Sequence, residues 1–518
     1  MKTLITMKNL FSYILIITLL FTFGCSDLEE ELNDGIAEGA DSDVDLEQLL
    51  NGAYGNLRDL QSQDNLLVVT QHPTDEMAGP TRGRDWDDAG IWRVLHRHSW
   101  TTAHAYINNV WRTTNRNAYN AQQVLCNGAT GSVAAQATFL RVYNDFLVLD
   151  NFGKIPRRAC NENLLNPPTQ LLTRAEAPAV LIAELEAVLN DLPTATGSPA
   201  LATQNAARAL LAKLYLNKAV YEATDPDGGA QEGPYNFAAA DMTKVVEYVD
   251  AITGRSLDVN YFDNFIPDNG NASEELIFVS ENTSGAAAGN ARAYWFMTLH
   301  YNQNPSGWNG FVALSDLYNR FEPGDQRLYT ELPYLAASGS GLNAGLLVGQ
   351  QYNAAGQPLK DRAGNPLVFT EDFNLLETGP NLEVTGIRAI KYPPDFTTEG
   401  DAPDNDYVIL RYADALLMKA EAILRGGTSS ETALDIVNQV RTIRGATPLA
   451  SLSEQDLLDE RSRELYWEGW RRNDQIRFNS FLGTWQEKPS PSDKTRLLFP
   501  IPSEAISTNP ELEQNPGY

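Results

Sequence analysis

"YVILRYADALLMKAEAILRGG", residues 407–427, sets the fold class of this chain. Tyr412, Leu416, Ala420, Ile423 and Leu424 recur at helical spacing, and Gly426-Gly427 supplies a stop. The spacing predicts a helix across the stretch, with alanines where a neighbouring helix approaches. The same texture runs outward in both directions, through 45–60, 103–125, 134–153 and 205–221 before it and 431–445 and 453–478 after it. Between 222 and 406 it gives way to turn-formers such as "DPDGGAQEGP" and "YNAAGQPLKDRAGNP", with "ELIFVS" (275–280) among the few strand-like runs. The prediction is a mainly α fold: a tetratricopeptide-like scaffold of helix pairs, 45–221 and 407–518, around an irregular, loop-rich region, 222–406, with few short strands. Long irregular segments in a folded chain carry variable, functional surface.

The N-terminus has another character. Two lysines and no acid precede an apolar run, Leu10 to Phe23, that ends in Gly24-Cys25. That layout resembles a bacterial lipoprotein signal over 1–24, with Thr22 where such signals usually carry Leu. It implies that Cys25 becomes the lipidated first residue. "SDLEEELND" follows, inside a polar tether (25–44) with too little apolar surface to fold. An acidic patch at that place is similar to the signal that sends lipoproteins to the outer face of the outer membrane. The whole chain carries a net charge of −28, and losing the two signal lysines makes it −30. Such a field disfavours nucleic acid and polyanions and tilts the reading toward a neutral ligand. Cys126 and Cys160 could pair or stay free.

Three C-terminal pieces, "RYADALLMKAEA" (411–422), "ERSRELYWEGWRRNDQIRF" (460–478) and "LLFPIPSEAISTNPELEQNPGY" (497–518), resemble in order and spacing the signature of the SusD/RagB family of surface nutrient-binding lipoproteins. "FLRVYNDFLVLDNFGKIP" (139–156) is similar to that family's N-terminal helical block. The resemblance implies a tetratricopeptide-like scaffold, a non-catalytic role in glycan capture, and a SusC-like TonB-dependent outer-membrane transporter as partner. Membrane contact would be through the lipid anchor alone. Within the motifs themselves, Trp467, Trp470, Arg471 and Arg472 read as packing and salt bridges.

Sugars offer C–H faces to aromatic rings and hydroxyls to polar side chains. Two stretches mix those residue types on Gly/Pro-containing loops. "QHPTDEMAGPTRGRDWDDAGIW" (71–92) supplies Asp75, Glu76, Arg84, Trp86 and Trp92, and "NARAYWFMTLHYNQNPSGWNGF" (290–311) supplies Tyr294, Trp295 and Trp308. These eight are the candidate ligand-binding residues, a core role standing beside the ligand role for each ring. Trp100, Trp111 and Trp485 read as core. His72, His96, His98 and His104 crowd into 33 residues, yet lack tight ligand spacing, so they read as structural and no metal or other cofactor is called for. No nucleophile elbow, phosphate loop or dinucleotide fingerprint is present, which sets enzymes aside. A peptide-binding surface protein and, further off, a glycoside hydrolase with two placed carboxylates stand as alternatives.

Overall fold

The structure is a computed structural model that describes residues 44–163, 166–194, 198–398 and 402–518. The signal-like segment 1–24, Cys25 and nearly all of the tether lie outside the described residues.

The N-terminal helices are α1 (Leu46–Gly55), α2 (Leu66–Gln71), α3 (Ile91–His96), α4 (Ala105–Cys126), α5 (Gly131–Phe152), α6 (Ala177–Val188), α7 (Gln204–Glu222) and α8 (Ala239–Asp250). The C-terminal set is α9 (Tyr412–Leu424), α10 (Ala433–Ile443), α11 (Glu454–Leu465) and α12 (Arg471–Arg477). Starts follow side-chain caps: Thr203 accepts from Ala206 N on α7, Thr432 from Asp435 N on α10, and Ser453 forms a capping box with Asp456 on α11. α4 packs on α5, α6 on α7, α7 on α8, and α9 on both α8 and α10. Ala206, Ala207, Ala209 and Ala212 on α7 are buried and leave room for these neighbours. At the end of α9, Gly426 takes φ +97, and a Cβ on Gly427 would lie 2.9 Å from the Met242 carbonyl oxygen on α8. Leu46–Tyr518 forms a single compact unit, mainly helical, with short two- and three-stranded sheets.

Two stretches differ from the sequence reading. Residues 407–411 form a strand, paired antiparallel with Leu276–Ser280, and α9 starts only at Tyr412. Both strands are buried along their whole length, so their apolar runs carry no alternation to tell strand from helix. The second is 453–478, which breaks into α11 and α12. Trp467 at φ +58 and Gly469 at φ +87 make the turn, which delivers the fully buried Trp467 indole to the Glu76 carbonyl at 3.2 Å.

The polar residues of the C-terminal signature lie inside. Arg411 is held by Glu275 at 3.2 Å, Glu464 at 2.7 Å and Glu468 at 2.7 Å; Arg444 joins Glu275 and Glu464; Arg327 spans Asp325, Glu460 and Glu464. Burial alone would raise the Glu464 carboxyl, but the guanidiniums of Arg444, Arg411 and Arg327 outweigh it and hold it well below the usual range. A second set, Lys213–Asp414–Arg461–Asp474–Arg477–Glu421, ties α7, α9, α11 and α12 together. Cys126 and Cys160 form a disulfide across 34 residues, which clamps the segment after Ile155–Arg157 to the end of α4.

Candidate functional site

Two loops that are distant in sequence meet because Met77–Ala78 pairs antiparallel with Val312–Ala313. The first loop holds three non-glycine residues at positive φ: Trp86 (+61), Asp88 (+39) and Ala89 (+53). Left-handed backbone is costly for a bulky side chain and persists where the surroundings over-determine it. Here Trp86 Nε1 donates to the Trp308 carbonyl at 2.9 Å, and the indole lies against Gly310, where a Cβ would overlap the ring. Asn309, at φ +55 and fully buried, steadies the second loop. Its side-chain oxygen accepts from Arg388 Nη2 at 2.7 Å, and its carbonyl accepts from Arg82 Nε at 3.0 Å.

The result is a ladder of rings running across both loops. Centroids are 5.0 Å apart from Tyr106 to Trp92, 5.7 Å to Trp86, 6.5 Å to Trp308 and 4.9 Å to Phe296, with the Arg292 guanidinium 4.9 Å from the Phe296 ring. Trp308 is 48% exposed, a large apolar face open to solvent, and Trp86 is partly buried beside it. An open groove of about 820 Å³ adjoins the far ends of the ladder, lined by Asp64, Asn109, Arg112, Asn290 and Arg292 among others. Flat rings flanked by amides, carboxylates and guanidiniums can stack on sugar faces and hydrogen-bond their rims.

The sequence-predicted residues divide. Trp86 and Trp308 come together on the ladder, and Arg84 is exposed on the same loop. The other five belong to the interior, which corrects the reading of them as ligand contacts. Asp75 is paired with Arg471 at 2.7 Å and with Arg320, and these cations override burial to keep its carboxyl well below the usual range. Glu76, fully buried, accepts from Ser462 Oγ at 2.8 Å; burial pushes its carboxyl up to about 7 against the opposing pull of Arg471. Trp92, 4% exposed, underlies the ladder as its Nε1 donates to Asp88 Oδ2 at 2.7 Å. Tyr294 packs 4.5 Å from Tyr392, and Trp295 points inward with it.

Sequence reasoning missed Tyr106, Phe296 and Arg292. Tyr106 carries helical spacing with Val110 and reads as core, and only the fold shows its ring against Trp92. The histidines do not converge: among the described residues no cluster of potential metal ligands occurs. His72 is buried 5.5 Å from Trp92 and 4.6 Å from Phe311, and burial lowers its pKa well below the ordinary value, so it is neutral. Trp100, Trp111 and Trp485 are core, as their helical or flanking context predicts.

Residues 274–496 match the sequence profile of the SusD family. The chain is 26% identical to the starch-binding protein SusD of Bacteroides thetaiotaomicron over 427 residues, which cover 74% of this chain and 72% of that protein. The chain is thus similar to the SusD family. SusD-like protein P2 of Formosa agariphila is 24% identical over 543 residues, 97% of this chain and 98% of that one. Among solved structures, surface glycan-binding protein A from Bacteroides uniformis superposes with a TM-score of 0.67 at 18% identity, covering 91% of this chain and 98% of that one. The laminarihexaose complex of surface glycan-binding protein A from Bacteroides thetaiotaomicron gives 0.63 at 17% identity, with 91% and 98% covered. These likenesses establish the SusD-type fold. The family profile begins just before the Leu276–Ser280 strand and spans α9 to α12, so it takes in Glu275, Arg327, Arg411, Arg444 and Glu464 of the interior charge network.

Proposed function

We propose that this SusD-like protein captures a glycan at the cell surface, without breaking a bond in it, and passes it to a SusC-like TonB-dependent transporter. The observation that carries this is Trp308, half exposed at the edge of a five-ring ladder whose partner Trp86 is held in left-handed backbone. Exposed rings fixed by their own loops suit stacking on sugar faces, because little further ordering is needed when the ligand arrives. The starch-binding and laminarihexaose-bound relatives support a carbohydrate ligand. Asp85, Asp87 and Asp88 are exposed around Trp86 and the chain is strongly acidic, which supports a neutral glycan. Asp88 is engaged by Trp92 and Asp87 by Arg93 at 2.9 Å, roles that favour holding the loop over acid–base chemistry. Among the described residues no helix is long and apolar enough to cross a membrane. The signal-like run ending in Gly24-Cys25 and the acidic stretch behind it support a lipidated Cys25 as the anchor, at the outer face of the outer membrane.

Affinity electrophoresis of residues 26–518 in gels containing neutral and acidic polysaccharides tests the reading. One neutral glycan should retard the protein, and Trp308→Ala should weaken that retardation by about tenfold or more. Because Trp308 is half exposed, the variant's unfolding free energy should stay within about 0.5 kcal/mol of the parent. Release of reducing ends from the bound glycan would sink the non-catalytic part. Retardation by no polysaccharide would sink glycan capture itself.

A further inference from the structure

A second concavity lies away from the ring ladder, on the other side of α4. Along that helix Tyr106, Asn109 and Thr113 share the face toward the ladder and its groove, whereas Trp111, Ala118 and Gln122 share the opposite one. On this second face a cavity of about 600 Å³ opens between α4, α5, α6, residues 156–159 and 168–172, and the last residues of the chain. That volume is ordinary for a small-molecule site.

Its floor is apolar, formed by Trp111, Ala118, Leu172, Val180 and Leu512, with Trp111 and Leu512 buried by the fold around them. One wall is cationic. Arg141, Arg157 and Arg158 project there beside Asp145 and Glu184. Arg157 uses its whole fork on those two acids: Nε and Nη2 on Asp145 at 2.9 and 2.6 Å, Nη1 and Nη2 on Glu184 at 2.8 and 3.0 Å. Asp145 is engaged through Oδ2 and Glu184 through both of its oxygens. Arg141 and Arg158 are not used up in the same way. Arg141 reaches Gln122 and, at 3.1 Å, Glu184, while Arg158 reaches the carbonyls of Asn163 and Asn166 and stands 3.9 Å from Glu162. Each guanidinium carries five donors, so the wall keeps spare N–H groups.

The disulfide makes this wall a built feature. It fastens Cys160, two residues beyond Arg158, to the end of α4, and the Gln122 side-chain amide lies 3.5 Å from both sulfurs. Arg157 and Arg158 are thus fixed over the apolar floor.

We propose that this cavity binds a small amphipathic acid: an apolar or aromatic body on the Trp111–Leu172 floor and a carboxylate or sulfonate head on Arg158 and Arg141. The site is independent of glycan capture.

Anilinonaphthalene sulfonate, which fluoresces when seated on an apolar surface, is the direct probe for residues 26–518. The expected result is saturable binding of one equivalent, displaced by decanoate at about tenfold lower concentration than by decanol, the uncharged molecule of the same body. Arg158→Ala should weaken the dye by about tenfold, and Ala118→Phe, which fills the floor, should abolish it. Unfolding midpoints measured alongside show whether either variant is folded; Arg158 is partly exposed, so Arg158→Ala remains decisive even where Ala118→Phe is not folded. Dye binding that never saturates, or that folded Arg158→Ala leaves unchanged, overturns the proposal. Decanol competing as well as decanoate overturns the acidic head group.

Discussion

Two regions of this protein invert the ordinary partition of residues, in opposite senses. Around Arg411 and Glu464, charged side chains fill an interior that would usually be hydrocarbon; around Trp86 and Trp308, aromatic rings stand where polar groups would usually meet water. Inside, each charge is matched by named partners, so the network is complete and serves only to fix helices against one another. Outside, the ladder is matched on one side alone, by its own loops, and its other face lacks a partner. Completed polar contacts in one place and an uncompleted apolar face in the other separate scaffold from site more sharply than burial does.

The sharpest way to break that contrast is Glu464→Gln. Neutralising the carboxylate shared by Arg327, Arg411 and Arg444 leaves three buried guanidiniums short of a partner, and chemical denaturation should show a loss of about 3–5 kcal/mol. A loss under about 1 kcal/mol would mean the network contributes little beyond filling space.

The next test uses pH. Glu76 sits where the two regions touch, and its carboxyl is raised from an ordinary 4.5 to about 7 by burial. A group whose folded pKa is raised holds its proton more tightly in the native state, so its contribution to stability is complete below about pH 4.5 and is lost as pH rises through about 7. Asp406, likewise raised to about 7 by burial, acts in the same window. Buried histidines such as His72, whose pKa burial lowers, add stability as pH rises over part of the same range, so the Glu76 contribution is read as a difference: relative to Glu76→Gln, the parent should lose on the order of 2 kcal/mol between about pH 5 and about pH 8 in urea unfolding. A difference between parent and Glu76→Gln that does not change with pH would clear Glu76 of the effect.

The smallest change acts on the ladder. Gly310→Ala puts a methyl into the volume of the Trp86 indole, which must swing away from Trp308. Glycan affinity should fall by roughly tenfold, about 1.4 kcal/mol, with the charge network untouched. Equal loss of stability and affinity would instead make Trp86 a core residue.

The sequence made the scaffold legible because helices declare themselves through periodicity, and Tyr412 to Leu424 is a helix as its spacing predicts. Tyr407–Arg411 was illegible as a strand because burial on both faces erases alternation. At the candidate site, aromatic residues beside turn-formers pointed to Trp86 and Trp308, whereas acids in the same loop misled. Asp75 looks like a surface carboxylate until Arg471, 396 positions later, is seen to cover it. Tyr106 and Phe296 entered the ladder by pairings between elements, and a one-dimensional pattern holds no record of those.

That Asp75–Arg471 pair has a consequence for how the protein is made. Chains emerge from the ribosome N-terminus first. The loop that carries Trp86 is therefore synthesised nearly four hundred residues before the arginine that anchors its base, and Arg320 arrives between them. A chain cut short ahead of α12 would contain every ring of the ladder and still leave Asp75 without its bidentate partner. The Trp86 loop is thus among the first parts written and the last to gain its anchor, which ties a finished capture surface to completion of the chain.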